Sequence, residues 1–188
     1  MAEERPFGVR RILVAIDASA ASLDALAAAA SLAVRLGSEL EGMFVEDEDL
    51  LRLAALPFAG IVRTPGGERE RIDPASAEVA LRAMAARARD ALQLAASRHG
   101  VAWSFRVSRG RVVREVLAAA EGADLVVLGA AGHGRRARGS VGTTAREAAA
   151  RARAPVLLLA RGGRLGGTVV AVDDGTPAGA RARVAASE

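Results

Sequence analysis

The sequence predicts an α/β protein, a parallel sheet covered on both faces by helices, and three observations carry that prediction. Short apolar runs recur along the chain, among them Arg11–Ile16, Asp124–Leu128 and Pro155–Leu159, with the near-continuous apolarity of strands buried on both faces. Longer Ala-, Leu- and Arg-rich stretches separate them, and strands alternating with helices imply right-handed parallel crossovers. Hydrophobic residues make up 51% of the 188, yet aromatic residues only 3%, so the core is built from small aliphatic side chains that suit packed layers.

The elements follow in order. Arg11–Ile16 is a first strand, ended by Asp17-Ala18-Ser19. Residues 20–36 are an Ala/Leu-rich helix, with Gly37 placed to end it in a left-handed conformation. Glu39–Val45 is a second strand. Residues 46–74 open on Glu46-Asp47-Glu48-Asp49 and carry Pro57, Gly60, Pro65, Gly66 and Gly67, so they read as a long inserted loop with a short helix near 47–56. An insertion of that length serves as a lid or a contact surface, or stays disordered. Asp73-Pro74 starts the next helix as cap and first-turn proline, and it runs to about Arg98 before His99-Gly100. Trp103–Val107 alternates as a strand; a helix at about 112–121, the strand Asp124–Leu128, a helix at 143–153 and a last strand at Pro155–Leu159 complete the series.

Composition limits the function. All 26 basic residues are Arg, and 22 acidic residues nearly balance them, so an isoelectric point near 11.1 reflects only four net charges. The arginines are dispersed along helices rather than gathered into a patch with interleaved aromatics, which argues against nucleic acid. No apolar run approaches the ~20 residues of a membrane span, and Met1–Pro6 has no secretory pattern. Without Cys there is neither a disulfide framework nor a thiolate site, and a soluble cytoplasmic protein is expected.

The chemistry concentrates where Leu125–Leu128 gives way to glycines. Gly129, Gly132 and Gly142-Thr143 follow the spacing G-x2-G-x9-G-[S/T] between a buried strand and a helix. Such a loop admits close approach of an anion to backbone N–H groups, and the helix N-terminus adds favourable partial charge. In an open α/β sheet the ligand crevice lies beyond the carboxyl ends of the strands where their order reverses. Strand-ending Asp17 could then offer its carboxylate to ribose hydroxyls or to a base edge. Val45, ending the second strand, could present main-chain polar groups and an apolar face, with Ala15 beside them.

With that motif, Asp17, Val45 and Pro155-Val156-Leu157-Leu158 thirteen residues after Gly142, residues 9–161 resemble the universal stress protein family. The resemblance implies a Rossmann/flavodoxin-like open five-stranded parallel sheet of order 3-2-1-4-5. It also implies, on the branch carrying the glycine motif, binding of ATP with Mg²⁺ in a regulatory or stress-response role. Ala15, Asp17, Val45, Gly129, Gly132, His133, Gly142, Thr143 and Thr144 are the nucleotide-binding candidates. Arg135, Arg136 and Arg138 are further donors nearby. The chain has Thr143-Thr144 where the family usually has Ser and an aliphatic residue. Gly139-Ser140-Val141 imitates the usual triplet at the wrong spacing, leaving Ser140 as an extra donor. The family also pairs domains through its last strand, so a homodimer through the Pro155–Ala160 edge is expected.

Competing motifs fail. Without Lys no G-x4-G-K-[ST] loop exists, and the turn after the first strand lacks the glycines of a dinucleotide fingerprint. His99 and His133 are the only histidines and lie far apart, so a histidine metal cluster or triad is not expected. Glu46–Asp49 reads as a charged loop edge rather than a cation site. No residue is placed by sequence as a general base, so turnover is at most slow hydrolysis or autophosphorylation. A dimeric interaction module that binds no nucleotide is the alternative.

One repeat remains. Thr168-Val169-Val170-Ala171-Val172-Asp173 restates Ile12-Leu13-Val14-Ala15-Ile16-Asp17 position by position. Residues 1–162 therefore form one nucleotide-binding domain, and 163–188 a linker with the truncated start of a second copy.

Overall fold

The computed structural model describes residues 8–56, 60–62, 69–71, 73–132, 141–163, 165 and 166. His133, Arg135, Arg136, Arg138 and Ser140 lie outside them, as does the repeat at 168–173. One compact unit spans Val9–Gly163. A second, Met1–Gly8 with Arg164–Glu188, falls almost wholly outside the described residues.

The first unit runs β1 (Arg11–Ala15), α1 (Ala20–Leu36), β2 (Glu39–Asp47), α2 (Glu48–Ala54), β3 (Gly60–Val62), β4 (Arg69–Arg71) and α3 (Pro74–His99). It continues with β5 (Trp103–Gly110), α4 (Val112–Ala120), β6 (Leu125–Gly129), α5 (Thr143–Arg151) and β7 (Val156–Leu159). Five strands form a parallel sheet of order β5-β2-β1-β6-β7, which is the expected 3-2-1-4-5. The insert departs from its expected form. Besides the short helix α2 it contains an antiparallel hairpin, β3 with β4, pairing Gly60 with Arg71.

Alternation along the central strands sorts their side chains to two cores. Ile12, Val14 and Val127 pack with α1 and α3, whereas Leu13, Val126 and Leu128 pack with α4 and α5. The α1 face is almost entirely alanine, with Ala21, Ala25, Ala29, Ala30 and Ala33 buried, so this helix lies close to the sheet. A Cβ on Gly129 would sit 2.8 Å from the Ala21 carbonyl carbon and 2.8 Å from the Ser22 nitrogen. That approach, rather than a turn, is what glycine supplies at this position.

The caps follow the sequence. Ser19 caps α1, accepting from Ser22 N–H at 3.2 Å, and Gly37 closes it at φ +65°. Asp73 caps α3, accepting from Ser76 N–H at 3.0 Å, and these bonds hold its carboxyl below the ordinary aspartate range. β2 runs two residues past the expected Val45, because Glu46 and Asp47 pair with Arg109 and Gly110 of β5.

Candidate functional site

The order of the sheet reverses between β1 and β6, and the crevice expected there is present. A cleft of about 280 Å³ opens beyond the ends of β1, β2 and β6. Ala15, Asp17, Val45, Gly129, Gly132, Gly142, Thr143 and Thr144 all line it. Of the nine sequence candidates only His133 lies outside the described residues.

Asp17 follows β1 and is half-buried. Its Oδ1 accepts the Ser19 N–H at 2.9 Å, a short turn that carries Ala18 at φ +60°. A positive φ on a residue with a Cβ costs about 1–2 kcal/mol, so surrounding structure enforces this turn. It aims the carboxylate across the cleft, where a Cβ on Gly132 would come within 2.9 Å of Asp17 Oδ2.

The two glycine stretches converge. Ala130 N–H donates to Leu159 C=O at 2.7 Å, pinning the loop to β7, and Gly142 N–H donates to Ala130 C=O at 2.6 Å. A Cβ on Gly142 would lie 3.9 Å from Gly132 N. This alters the role assigned to Gly142, since its amide is committed to the loop. What it contributes is the cap of α5 without a side chain: no side-chain bond closes that helix start.

The starts of α1 and α5 differ in their caps. The N-termini of α1 and α5 border the crevice, as does that of α4 at Val112, and a helix start carries positive partial charge. Asp17 and the Ser19 hydroxyl already serve the start of α1. The start of α5 has glycine at its cap and no side-chain cap bond, with Thr144 half-buried and Ala145 buried in its first turn.

Main chain also faces the cleft from β2. Ile16 N–H donates to Met43 C=O at 2.8 Å, the last link from the β1 side. Val45 shares the lateral orientation of Met43, two residues on, at a level where β1 has ended. Its N–H and C=O therefore turn towards the opening. Sequence reasoning missed the wall opposite: Val112 and Val116, one turn apart on α4, line the cleft together with Met43 and Leu128. Their spacing marks an apolar helix face, but only the topology brings that face to this crevice. Among the described residues no group of three or more His, Cys, Asp or Glu could hold a metal ion.

The profile of the universal stress protein family matches residues 8–160. The chain belongs to the universal stress protein family. Solved family structures are similar to it. Universal stress protein UspA from Lactobacillus plantarum is 25% identical, with TM-score 0.60, covering 80% of this chain and 97% of that one. A family protein from Burkholderia pseudomallei is 27% identical, with TM-score 0.58, covering 82% and 98%. A universal stress protein solved in complex with cAMP has the same fold at 20% identity and TM-score 0.54, covering 81% and 98%. No curated protein sequence matches the chain significantly. No helix among the described residues is long and apolar enough to cross a membrane.

Proposed function

We propose that this universal stress protein binds an adenine nucleotide in the cleft, with ATP carrying Mg²⁺ as its ligand, and that occupancy serves a regulatory role in the stress response. The observation that carries the reading is the convergence of Gly132, the glycine-led start of α5 and the Asp17 carboxylate on one side of an apolar slot. Phosphates would lie against the Gly132 loop and the first turn of α5 at Thr143 and Thr144. The base would enter between Val45 and Val112, reading Val45 main chain, and Asp17 would accept from ribose hydroxyls. At about 280 Å³ the cleft matches the small end of ligand pockets, enough for a nucleoside with its phosphates at the open rim. Mg²⁺ fits as a companion of the phosphates, which is how it commonly binds where protein carboxylates are few. The family relative solved with cAMP supports an adenine ligand class for this fold.

The proposal concerns binding and signalling rather than rapid turnover. It includes residues 1–162 as the functional domain, 163–188 as a truncated repeat, and cytoplasmic action. It also includes a homodimer through Pro155–Ala160, since β7 is an edge of the sheet and unpaired edges recruit partners.

Calorimetric titration of nucleotide-stripped protein with ATP, AMP and cAMP tests the reading. Gly132→Val should weaken ATP binding at least about tenfold, the worth of one charge-assisted hydrogen bond. Unchanged affinity would refute the loop assignment. The alternative, an interaction module without nucleotide, draws support from Leu50, Leu53 and Leu56, exposed at 43%, 49% and 39% on and just after α2. No thermal shift with ATP, ADP or AMP would favour it.

A further inference from the structure

The acidic run Glu46–Asp49 has no part in the nucleotide reading, yet each of its members is engaged. Asp47 caps α2, accepting the Asp49 N–H at 3.0 Å, and Glu48 meets Arg52 at 3.2 Å. Glu46 meets Arg109 at 2.8 Å, and Arg109 also reaches Glu78 of α3 at 3.8 Å. Asp49 lies 3.6 Å from Arg52 and 3.4 Å from Arg111. Arg109 and Arg111 flank the junction of β5 with α4, so two ion pairs tie the root and first turn of α2 to that junction.

Their position relative to the cleft gives the pairs a consequence. Glu46 directly follows Val45 and Arg111 directly precedes Val112, and both valines line the cleft. Among the described residues α2 is otherwise held by Ala54, which is buried, and by Leu51, which packs against the core, while Leu50 and Leu53 are exposed. Arg111 itself occupies the N-cap of α4 without making a side-chain cap. A cation there opposes the helix dipole and displaces the Ser, Thr, Asp or Asn that such positions favour. Asp49 supplies compensating charge from α2, beside Glu115 in the first turn of α4 itself.

We propose that the Asp49–Arg111 and Glu46–Arg109 pairs strap α2 to the start of α4 and so hold Val45 and Val112 at the spacing that grips a base. Arg111 is a positioning residue, acting through Val112 without touching ligand. The inference rests on the nucleotide reading of the cleft.

The test is a double-mutant cycle, Asp49→Asn, Arg111→Gln and the pair together, with Arg111→Lys as the conservative variant. ATP and adenosine are titrated at about 0.05 M and about 1 M NaCl. At low salt each single variant should bind both ligands about two- to five-fold more weakly, the double variant no worse than either single, and Arg111→Lys close to the parent. At high salt, where screening acts within ~3 Å, the variant-to-parent ratio should fall towards one. Hydrogen exchange over 48–54 should quicken in Asp49→Asn without ligand. Single variants binding like the parent at low salt, or affecting ATP but not adenosine, would overturn the strap while leaving the nucleotide reading intact. A parent protein that binds neither ligand would remove both.

Discussion

Gly129 and Gly132 belong to one motif, yet the structure assigns them different work, and paired alanine substitutions separate the two. A methyl group on Gly129 would meet Ala21 C and Ser22 N at 2.8 Å and Ala21 O at 3.0 Å, all backbone atoms of the first turn of α1. Favourable carbon contacts begin near 3.5 Å, so that turn would have to retreat by roughly 0.7 Å. The retreat disturbs the Ser19 cap and the alanine seam at Ala25 and Ala29, both fully buried at 0% exposure. Overpacking of this kind costs about 1–3 kcal/mol, and a domain of this size loses roughly 2–4 °C of Tm per kcal/mol. Gly129→Ala should therefore lower the ligand-free Tm by about 2–12 °C. A methyl group on Gly132 meets, among the described residues, Asp17 Oδ2 at 2.9 Å, the end of a side chain that can turn. Gly132→Ala should leave Tm within the effect of a surface change, about 0.5 kcal/mol, while displacing the carboxylate and weakening nucleotide about tenfold. Far-UV circular dichroism melts and calorimetric titration read the two quantities. Equal loss of Tm in both variants, or an unchanged melt for Gly129→Ala, would refute the division.

Two further expectations concern stability. The Ser108 hydroxyl is buried without a hydrogen-bond partner among the described residues, so Ser108→Ala should stabilise the domain by about 1 kcal/mol in urea unfolding; a loss instead would reveal a bound water. Asp73 has a folded pKa below its unfolded value because Ser76 N–H and Oγ–H donate to it. A depressed carboxylate stabilises above its unfolded value, ~3.9, and that contribution fades as pH falls through the lower folded value. The Tm advantage of the parent over Asp73→Asn should thus be constant near neutrality and shrink below about pH 4, whereas an advantage independent of pH down to 2 would exclude this origin.

Local signals were readable where a residue acts on its own neighbourhood. Residues 20–36 are α1 because Ser19 and Gly37 bracket an alanine run, and Asp73-Pro74 opens α3 in the same way. Asp17, Val45 and the glycine spacing were legible because strand ends and loops carry their chemistry in the types of residue present. What required the third dimension was every effect that depends on a partner distant in sequence. β2 outruns its expected end through its register with β5. The hairpin β3–β4 lay hidden among prolines and glycines that read as loop. Val112 and Val116 read as an ordinary helix face until the crossover brought α4 beside β2.

The same distinction bears on the proposed nucleotide mode, because the starts of α1 and α5 both border the crevice. Both helices follow central strands, and dipole alone would favour neither. The chain breaks the tie by what it places before each helix. Ahead of α1 stand a carboxylate and a hydroxyl, which accept the amides of Ser19 and Ser22 and add negative charge. Ahead of α5 stands glycine, which satisfies none and spends its own N–H on Ala130. A phosphate approaching α1 would meet Asp17, whereas residues 129–142, which lead into α5, carry no acidic side chain. In the proposed mode Asp17 would repel the phosphates from α1 and offer an acceptor to the uncharged ribose beside it, which would set the polarity of the nucleotide before any base contact is made.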